Sequence, residues 1–507
     1  MPPNYSRKKK SRDPFFDDDS TKRRKVAKVA KVAADEDQDA EIDSGSDEDG
    51  FFDSKDEPEL VEEVENADET RKRIAKDYLR KFQESARKEK ELRDEDDDDE
   101  GSDEDDEGAR DSIIAQRMIK EQQEESGRIR KAIASRVQLG GDGGFENLVK
   151  HKQCVTAVAL SEDDLKGFSA SKDGGIVQWD VESGKCERYK WPSDSVLKSH
   201  GLKAPQGSAK KQSRQMLTLA ASSDGRYLAT GGLDRHIHIW DTRTREHLQA
   251  FPGHRGPVSS LVFREGSTEL FSGSFDRTVK IWNVEDRTYM NTLFGHQSEV
   301  LSIDCLRKER VLTAGRDRSM QLFKVHEESR LVFRAPASSL ECCCFVNNDE
   351  FLSGSDDGSI ELWGAVRKKP VHILKNAHAL LTDSKKSDQK DSEILPNGNL
   401  ENGYHHPENH HCSSVHSWVS AVTVCRNTDL AASGAGNGFV RLWAIENEAK
   451  NIKPLHNVPL DGFVNSLAFA KSARFLVAGV GQEPRLGRWG QIREARNGVS
   501  ILPLKLS

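Results

Sequence analysis

The chain has 507 residues, 32% charged and 35% hydrophobic, and its mean hydropathy of -0.73 is too polar for one uniformly packed globule. Residues 1–144 hold 29 Lys and Arg against 43 Asp and Glu, a net of -14, whereas the remainder holds 47 against 42, a net of +5. An acidic arm on a mildly basic domain points towards nucleic acid or a charged assembly, while the absence of any apolar run near the roughly 20 residues of a membrane span excludes a membrane partner as the expectation.

The arm, residues 1–110, opens on two basic clusters, Arg7-Lys8-Lys9-Lys10-Ser11-Arg12 and Lys22-Arg23-Arg24-Lys25. Lys8, Lys9, Lys10, Lys22, Arg23, Arg24 and Lys25 have the composition of a nuclear import signal. Acidic blocks follow, densest from Asp94 to Glu107, where only Gly101 and Ser102 are uncharged. Self-repelling charge without apolar anchors cannot offset chain entropy, so these blocks are expected to be largely disordered. Two short helices are predicted, one in the arm and one directly after it. In the first, near 70–93, Ile74, Tyr78, Leu79 and Phe82 form one stripe; in the second, over 111–137, Ile113, Ile114, Met118, Ile129 and Ile133 form a looser one. Either stripe suits docking better than independent folding.

From about 145 to 507 the text is periodic. Strand-like runs end in a small-residue step, a tight turn and an aromatic: Asp173 with Trp179, Asp234 with Trp240, Asp276 with Trp282, Asp317 with Phe323, Asp357 with Trp363 and Asn437 with Trp443, always six residues apart. Glu483 and Trp489 keep this interval in a seventh, divergent unit. From Trp240 to Trp363 the aromatics lie 42, 41 and 40 residues apart, the period of four-stranded WD-repeat blades. The longer intervals, 61 after Trp179 and 80 after Trp363, are one period plus inserted loops over 191–215 and 380–415. The predicted fold is all-β: a seven-bladed WD-repeat β-propeller after a charged arm with short helices.

In such repeats a His before the first strand joins a buried Ser/Thr, Asp and Trp. The expected networks are His151 with Asp173 and Trp179, His254 with Asp276 and Trp282, and His416 with Trp443. His296 faces Phe323, which lacks the indole donor, and blades two, five and seven offer no His at that place. These His/Asp pairs are read as structure, not catalysis. No phosphate-binding loop with Lys, H-E-x-x-H or nucleophile elbow occurs, so neither an enzyme nor a cofactor is expected. His405-His406 and His410-His411-Cys412 sit in an Asn/Ser-rich loop with nothing to fix ligand geometry, so no metal site is expected. No C-x-x-C pair occurs among the eight cysteines, and several fall on alternating apolar runs, where they read as buried strand thiols.

In an antiparallel blade the second-to-third-strand turns and the interblade loops leave the same face. That rim should carry the turn arginines Arg235, Arg277 and Arg318, the basic insertion with Lys210, Lys211 and Arg214, the 380–415 insertion, and the seventh-blade turn Gly479–Arg488. It is the candidate binding face.

The stretch from Phe475 to Trp489, with Gly479-Val480-Gly481-Gln482-Glu483-Pro484-Arg485-Leu486-Gly487-Arg488 at its centre, and Glu494-Ala495-Arg496-Asn497 resemble the U3 small nucleolar RNA-interacting WD-repeat proteins, the 55-kilodalton protein family of the U3 particle. So do Thr292–Gln297 (Thr-Leu-Phe-Gly-His-Gln) and Ala75–Leu79 (Ala-Lys-Asp-Tyr-Leu). The resemblance implies a nucleolar, non-catalytic protein that recognises the box B/C region of U3 RNA. Its implied partners are a kink-turn-binding protein, other box C/D particle proteins and the small-subunit processome, and its implied role is 18S precursor processing. It singles out Gln482, Arg485 and Arg488. Two alternatives stay open at this point: a cullin-type ubiquitin ligase receptor, from Trp240-Asp241-Thr242-Arg243, and a chromatin- or histone-binding propeller, from the acidic arm.

Overall fold

The computed structural model describes residues 130–139, 143–200, 214–337, 339–378, 417–446 and 450–506, with positions 116, 118, 119, 122 and 123. All lie in the second of two compact units, Lys81–Ser507, the first being Met1–Arg80. The import clusters, the predicted helix over 70–93, Lys210, Lys211, the histidine-rich stretch 405–412 and His416 lie outside the described residues.

Seven antiparallel sheets follow one another. Their innermost strands are Val155–Leu160, Met216–Ala221, Val258–Phe263, Val300–Cys305, Leu340–Phe345, Ala421–Val424 and Phe463–Phe469. Six blades are simple four-stranded meanders, strands a to d running outwards. Apolar residues on strands a, b and c make clusters shared between neighbouring blades, which is how a small sheet buries both faces. Six of the seven free cysteines described are buried, Cys186 being exposed.

The small-residue step has a steric cause. A Cβ built on Gly273 would lie 2.8 Å from Val300 Cγ1 of the next blade, and one on Gly231 would lie 2.7 Å from Val258 Cγ1. Gly479 of blade seven abuts Val155 of blade one in the same way, at 2.9 Å, so the ring closes with the packing seen at Gly231 and Gly273. Hydroxyls rivet the inner strands: Thr218 Oγ1 accepts from Leu261 N (3.0 Å), Ser260 Oγ from Ile303 N (2.8 Å) and Ser302 Oγ from Cys343 N (3.2 Å). Ser466 Oγ accepts from Val158 N at 3.2 Å across the closure.

Blade seven departs from the sequence reading twice. Its third strand is Gly498–Leu506, not the stretch around Trp489. Leu502 pairs with Leu476 where other blades put the aromatic, and Trp489 lies 51% exposed on the connecting loop. The interval shared by Glu483 and Trp489 is therefore not a strand register. Its outer edge comes from the other end of the chain: Val137–Leu139 and Glu146–Lys150 both pair with Gly498–Leu506. The sheet thus begins upstream of 145.

The helix expected over 111–137 is only partly present. Positions 116, 118, 119, 122 and 123 are helical, but Ala134–Arg136 is a 3-10 turn and Val137–Leu139 a strand. Tertiary bonds override the stripe: Asp429 Oδ1 accepts from the backbone N–H groups of Ile133 (2.7 Å) and Ala134 (2.8 Å), and Lys131 N donates to Asn427 O at 2.9 Å. Arg130, 3% exposed, donates to Glu446 O (3.2 Å) and lies 3.5 Å from Glu350 Oε2. This strap crosses the a–b turns of blades five and six before entering blade seven.

Candidate nucleic-acid interface

The His/Asp constellations are structural. In blade three His254 Nδ1 meets Asp276 Oδ2 and Nε2 meets Ser272 Oγ, both at 2.8 Å, and Trp282 Nε1 donates to the same Oγ at 2.8 Å. Burial alone would raise the Asp276 carboxyl, yet the bonds from His254 and Thr278 hold it well below the usual carboxylate range. Asp276→Ala is expected to lower stability by about 1–3 kcal/mol by leaving His254 and the Arg255 N–H unpaired; a melting curve matching the parent would show that this network contributes nothing. Blade four keeps His296 on Thr313 (2.7 Å) and Asp317 (3.1 Å) without an indole.

The other blades vary the scheme. In blade one His151 reaches Ser169 at 2.9 Å, but the buried Trp179 indole nitrogen has no partner among the described residues, so the expected network is incomplete there. In blade six the histidine is His378, not His416: it meets Ser433 Oγ at 2.7 Å and Asn437 Oδ1 at 3.2 Å, and Trp443 shares Ser433. The 380–415 insertion falls after this histidine instead of before it, which defeats the spacing rule. Blade two uses a histidine from strand c, His238, 2.5 Å from Asp234 Oδ2. Blade five uses Glu361, buried among the hydroxyls of Ser353, Ser355 (3.0 Å) and Ser359 (3.2 Å). Neither substitute alters any interval in the sequence.

The topology puts the b–c turns and interblade loops on one face, and the bonds between His254 and Asp276 and between Lys172 and Glu483 (3.3 Å) both join elements of that face. Arg235, Arg277 and Arg318 sit at equivalent turn positions with φ of 66°, 70° and 60°. This left-handed backbone is uncommon for arginine. Arg214 lies 5.7 Å over the Trp191 ring, which itself packs on Trp240. The described start of the first insertion, with helix Asp194–Ser199, therefore lies against blade two.

The seventh-blade turn divides its polar residues. Gln482 braces the loop, its Nε2 donating to Arg493 O (3.2 Å) and Ala495 O (3.1 Å). Arg485 turns inward, donating to Ser259 O (3.3 Å) and Leu301 O (3.1 Å) on the innermost strands of blades three and four. It thus spans the mouth of the central channel. Burial raises the Glu341 carboxyl there, and the Arg485 guanidinium opposes that rise. Arg488 is different: its side chain is 70% exposed, 3.6 Å from Glu483. Trp489, missed as a surface residue, packs on Trp418 at 6.2 Å between ring centroids.

The Trp-Asp-Thr-Arg motif is accounted for by the fold. Trp240 is fully buried on Thr230, and Asp241 Oδ1 accepts from the N–H groups of Arg243 (2.7 Å) and Thr244 (3.0 Å).

Comparison with known proteins agrees with this architecture. The WD domain, G-beta repeat family matches residues 208–241, 245–283 and 327–364. The chain is 54% identical over 497 residues to the U3 snoRNP-associated protein-like EMB2271 of Arabidopsis thaliana, across 98% of this chain and 95% of that one. It is 36% identical over 446 residues to the U3 small nucleolar RNA-interacting protein 2 of Homo sapiens, across 87% and 83%. The crystal structure of the RRP9 WD40 repeats superposes with a TM-score of 0.60 at 39% identity, over 73% of this chain and 100% of that one. With identity of this order along nearly its whole length, the chain belongs to the U3 snoRNP-associated family of WD-repeat proteins.

Proposed function

We propose that this protein is a non-catalytic RNA- and protein-binding component of the U3 small nucleolar ribonucleoprotein, recognising the box B/C region of U3 RNA beside a kink-turn-binding protein. In that role it works in the nucleolus, within the small-subunit processome, on 18S precursor processing. The supporting observation is the rim: Arg235, Arg277, Arg318 and Arg488 are displayed on one face of a propeller whose human relative is named for its interaction with U3 RNA. Guanidinium groups bridge phosphates and stack on unpaired bases, and RNA specificity then comes from shape and splayed nucleotides. The structural His/Asp networks have their bonds taken up inside the blades, which suits a scaffold.

The test is a salt series of binding curves with U3 RNA and its kink-turn protein, comparing the parent with Arg235→Ala, Arg318→Ala and Arg488→Ala combined. Affinity should fall, and the salt dependence should flatten by about one unit of slope per lost phosphate contact. Parent-like affinity and slope in a folded triple variant would remove these arginines from the interface. Arg485→Ala should act on stability first, because its guanidinium is occupied by Ser259 and Leu301.

A further inference from the structure

A cavity of about 570 Å3 opens on the same rim at blade three, beside the loop leading into blade four, lined by Arg255, Arg277, Lys280, Thr292 and Phe294 among others. We propose that it is a pocket for one unpaired nucleotide of RNA, the base stacked on Phe294 and the phosphate held by Arg255 and Arg277. The inference rests on the RNA-binding reading above and adds the place and form of the contact.

Charge, shape and exposure point the same way. Three cations line the cavity against one carboxylate, Asp276, a net of +2. That carboxylate is already taken by His254 (2.8 Å), Arg255 N (2.9 Å) and Thr278 Oγ1 (2.6 Å), so it offers little repulsion to an anion. Arg255 and Arg277 make no side-chain bond among the described residues and stand exposed at the mouth. Lys280 is fixed instead: Nζ donates to Thr292 Oγ1 at 2.8 Å and lies 4.9 Å over the Tyr289 ring. Phe294 is 70% exposed on the outer strand Thr288–Phe294. A lone exposed phenylalanine needs no explanation, but one bordering a cationic cavity supplies a stacking face. The volume falls within the range of small-molecule sites, large enough for one base with its sugar and phosphate. An acidic peptide would use the cations but not the flat ring, so a nucleotide fits the whole set better.

The experiment measures affinity of the full chain for in vitro transcribed U3 RNA, reconstituted with its kink-turn protein, across Phe294 variants. Phe294→Ala and Phe294→Leu should weaken binding by roughly 5- to 150-fold, the range for loss of one base–aromatic stack, while Phe294→Trp should bind like the parent. Arg255→Ala with Arg277→Ala should lower affinity and flatten the salt dependence by about two units of slope. All are surface changes, and melting curves confirm folding. Parent-like binding by Phe294→Leu would reduce the contact to apolar burial and overturn the stack. Undiminished RNA affinity with loss of a protein from the purified particle would make this a peptide site, again overturning it. Binding of free nucleoside monophosphates that leaves RNA affinity unchanged would show a small-molecule pocket in place of an RNA contact. If the parent itself fails to bind U3 RNA, the functional reading falls with the pocket; if only the variants behave like the parent, the pocket falls alone.

Discussion

Replacing Arg130 with alanine is expected to destabilise the propeller by about 3–5 kcal/mol, the cost of breaking a buried ion pair from one side. The guanidinium is almost wholly buried, donates to Glu446 O at 3.2 Å and lies 3.5 Å from Glu350 Oε2. Its loss leaves the Glu350 carboxylate, 19% exposed, without its cation and with the Asn347 amide (3.0 Å) still on the same oxygen, and loosens the strap leading into the outer edge of blade seven. That edge joins the two ends of the domain, so weakening it exposes an open sheet. Urea denaturation of the parent, Arg130→Ala, Glu350→Gln and the double variant measures the pair. The double variant should be less destabilised than the sum of the singles. Parent-like midpoints for Arg130→Ala would make the strap a passive tail.

Glu361→Gln is expected to change the pH dependence of stability. Burial pushes the Glu361 carboxyl up to about 7 from its ordinary 4.5, against the lowering effect of the Ser353 and Ser355 hydroxyls. The folded state therefore binds this proton more tightly than the unfolded chain, and the carboxyl's contribution is full below pH 4.5 and lost as pH rises to about 7. The difference corresponds to about 3 kcal/mol. Buried histidines slope the other way: burial lowers His151 and His378 to about 4 and His247 to about 3, so their contribution fades as pH falls below 6.5. The informative quantity is the parent-minus-variant difference across pH 4.5–7. It should grow steadily with falling pH, because glutamine cannot ionise. A flat difference would mean that Glu361 is ionised throughout.

The blade count was legible because the turn residue and the aromatic are joined through local strand pairing: Leu270 faces Trp282 and Phe351 faces Trp363 across a two-strand hairpin of fixed length. Intervals spanning a variable connection failed. His378 and Trp443 are separated by an inserted loop, and in blade seven the b–c connection runs from Gln482 to Asn497, so Trp489 fell at the familiar interval without joining the strand. Substitutions within strand c, such as His238 and Glu361, change the chemistry of the network while leaving its spacing intact. The sequence puts Arg485 and Arg488 on one turn, but only side-chain direction separates Arg488, which faces solvent, from Arg485, which reaches across to blades three and four. The strap at Arg130 was unreadable as such, because its partners lie some 200 to 300 residues away in sequence.

Affinity purification of the full chain from nuclear extract, followed by sequencing of the bound RNA, tests the central claim most directly. U3 small nucleolar RNA is expected to dominate the bound pool, with a kink-turn-binding protein in the same eluate, and its enrichment to fall in the combined Arg235, Arg318 and Arg488 alanine variant. Recovery of ubiquitin-ligase subunits or histones with no enrichment of U3 RNA would contradict it.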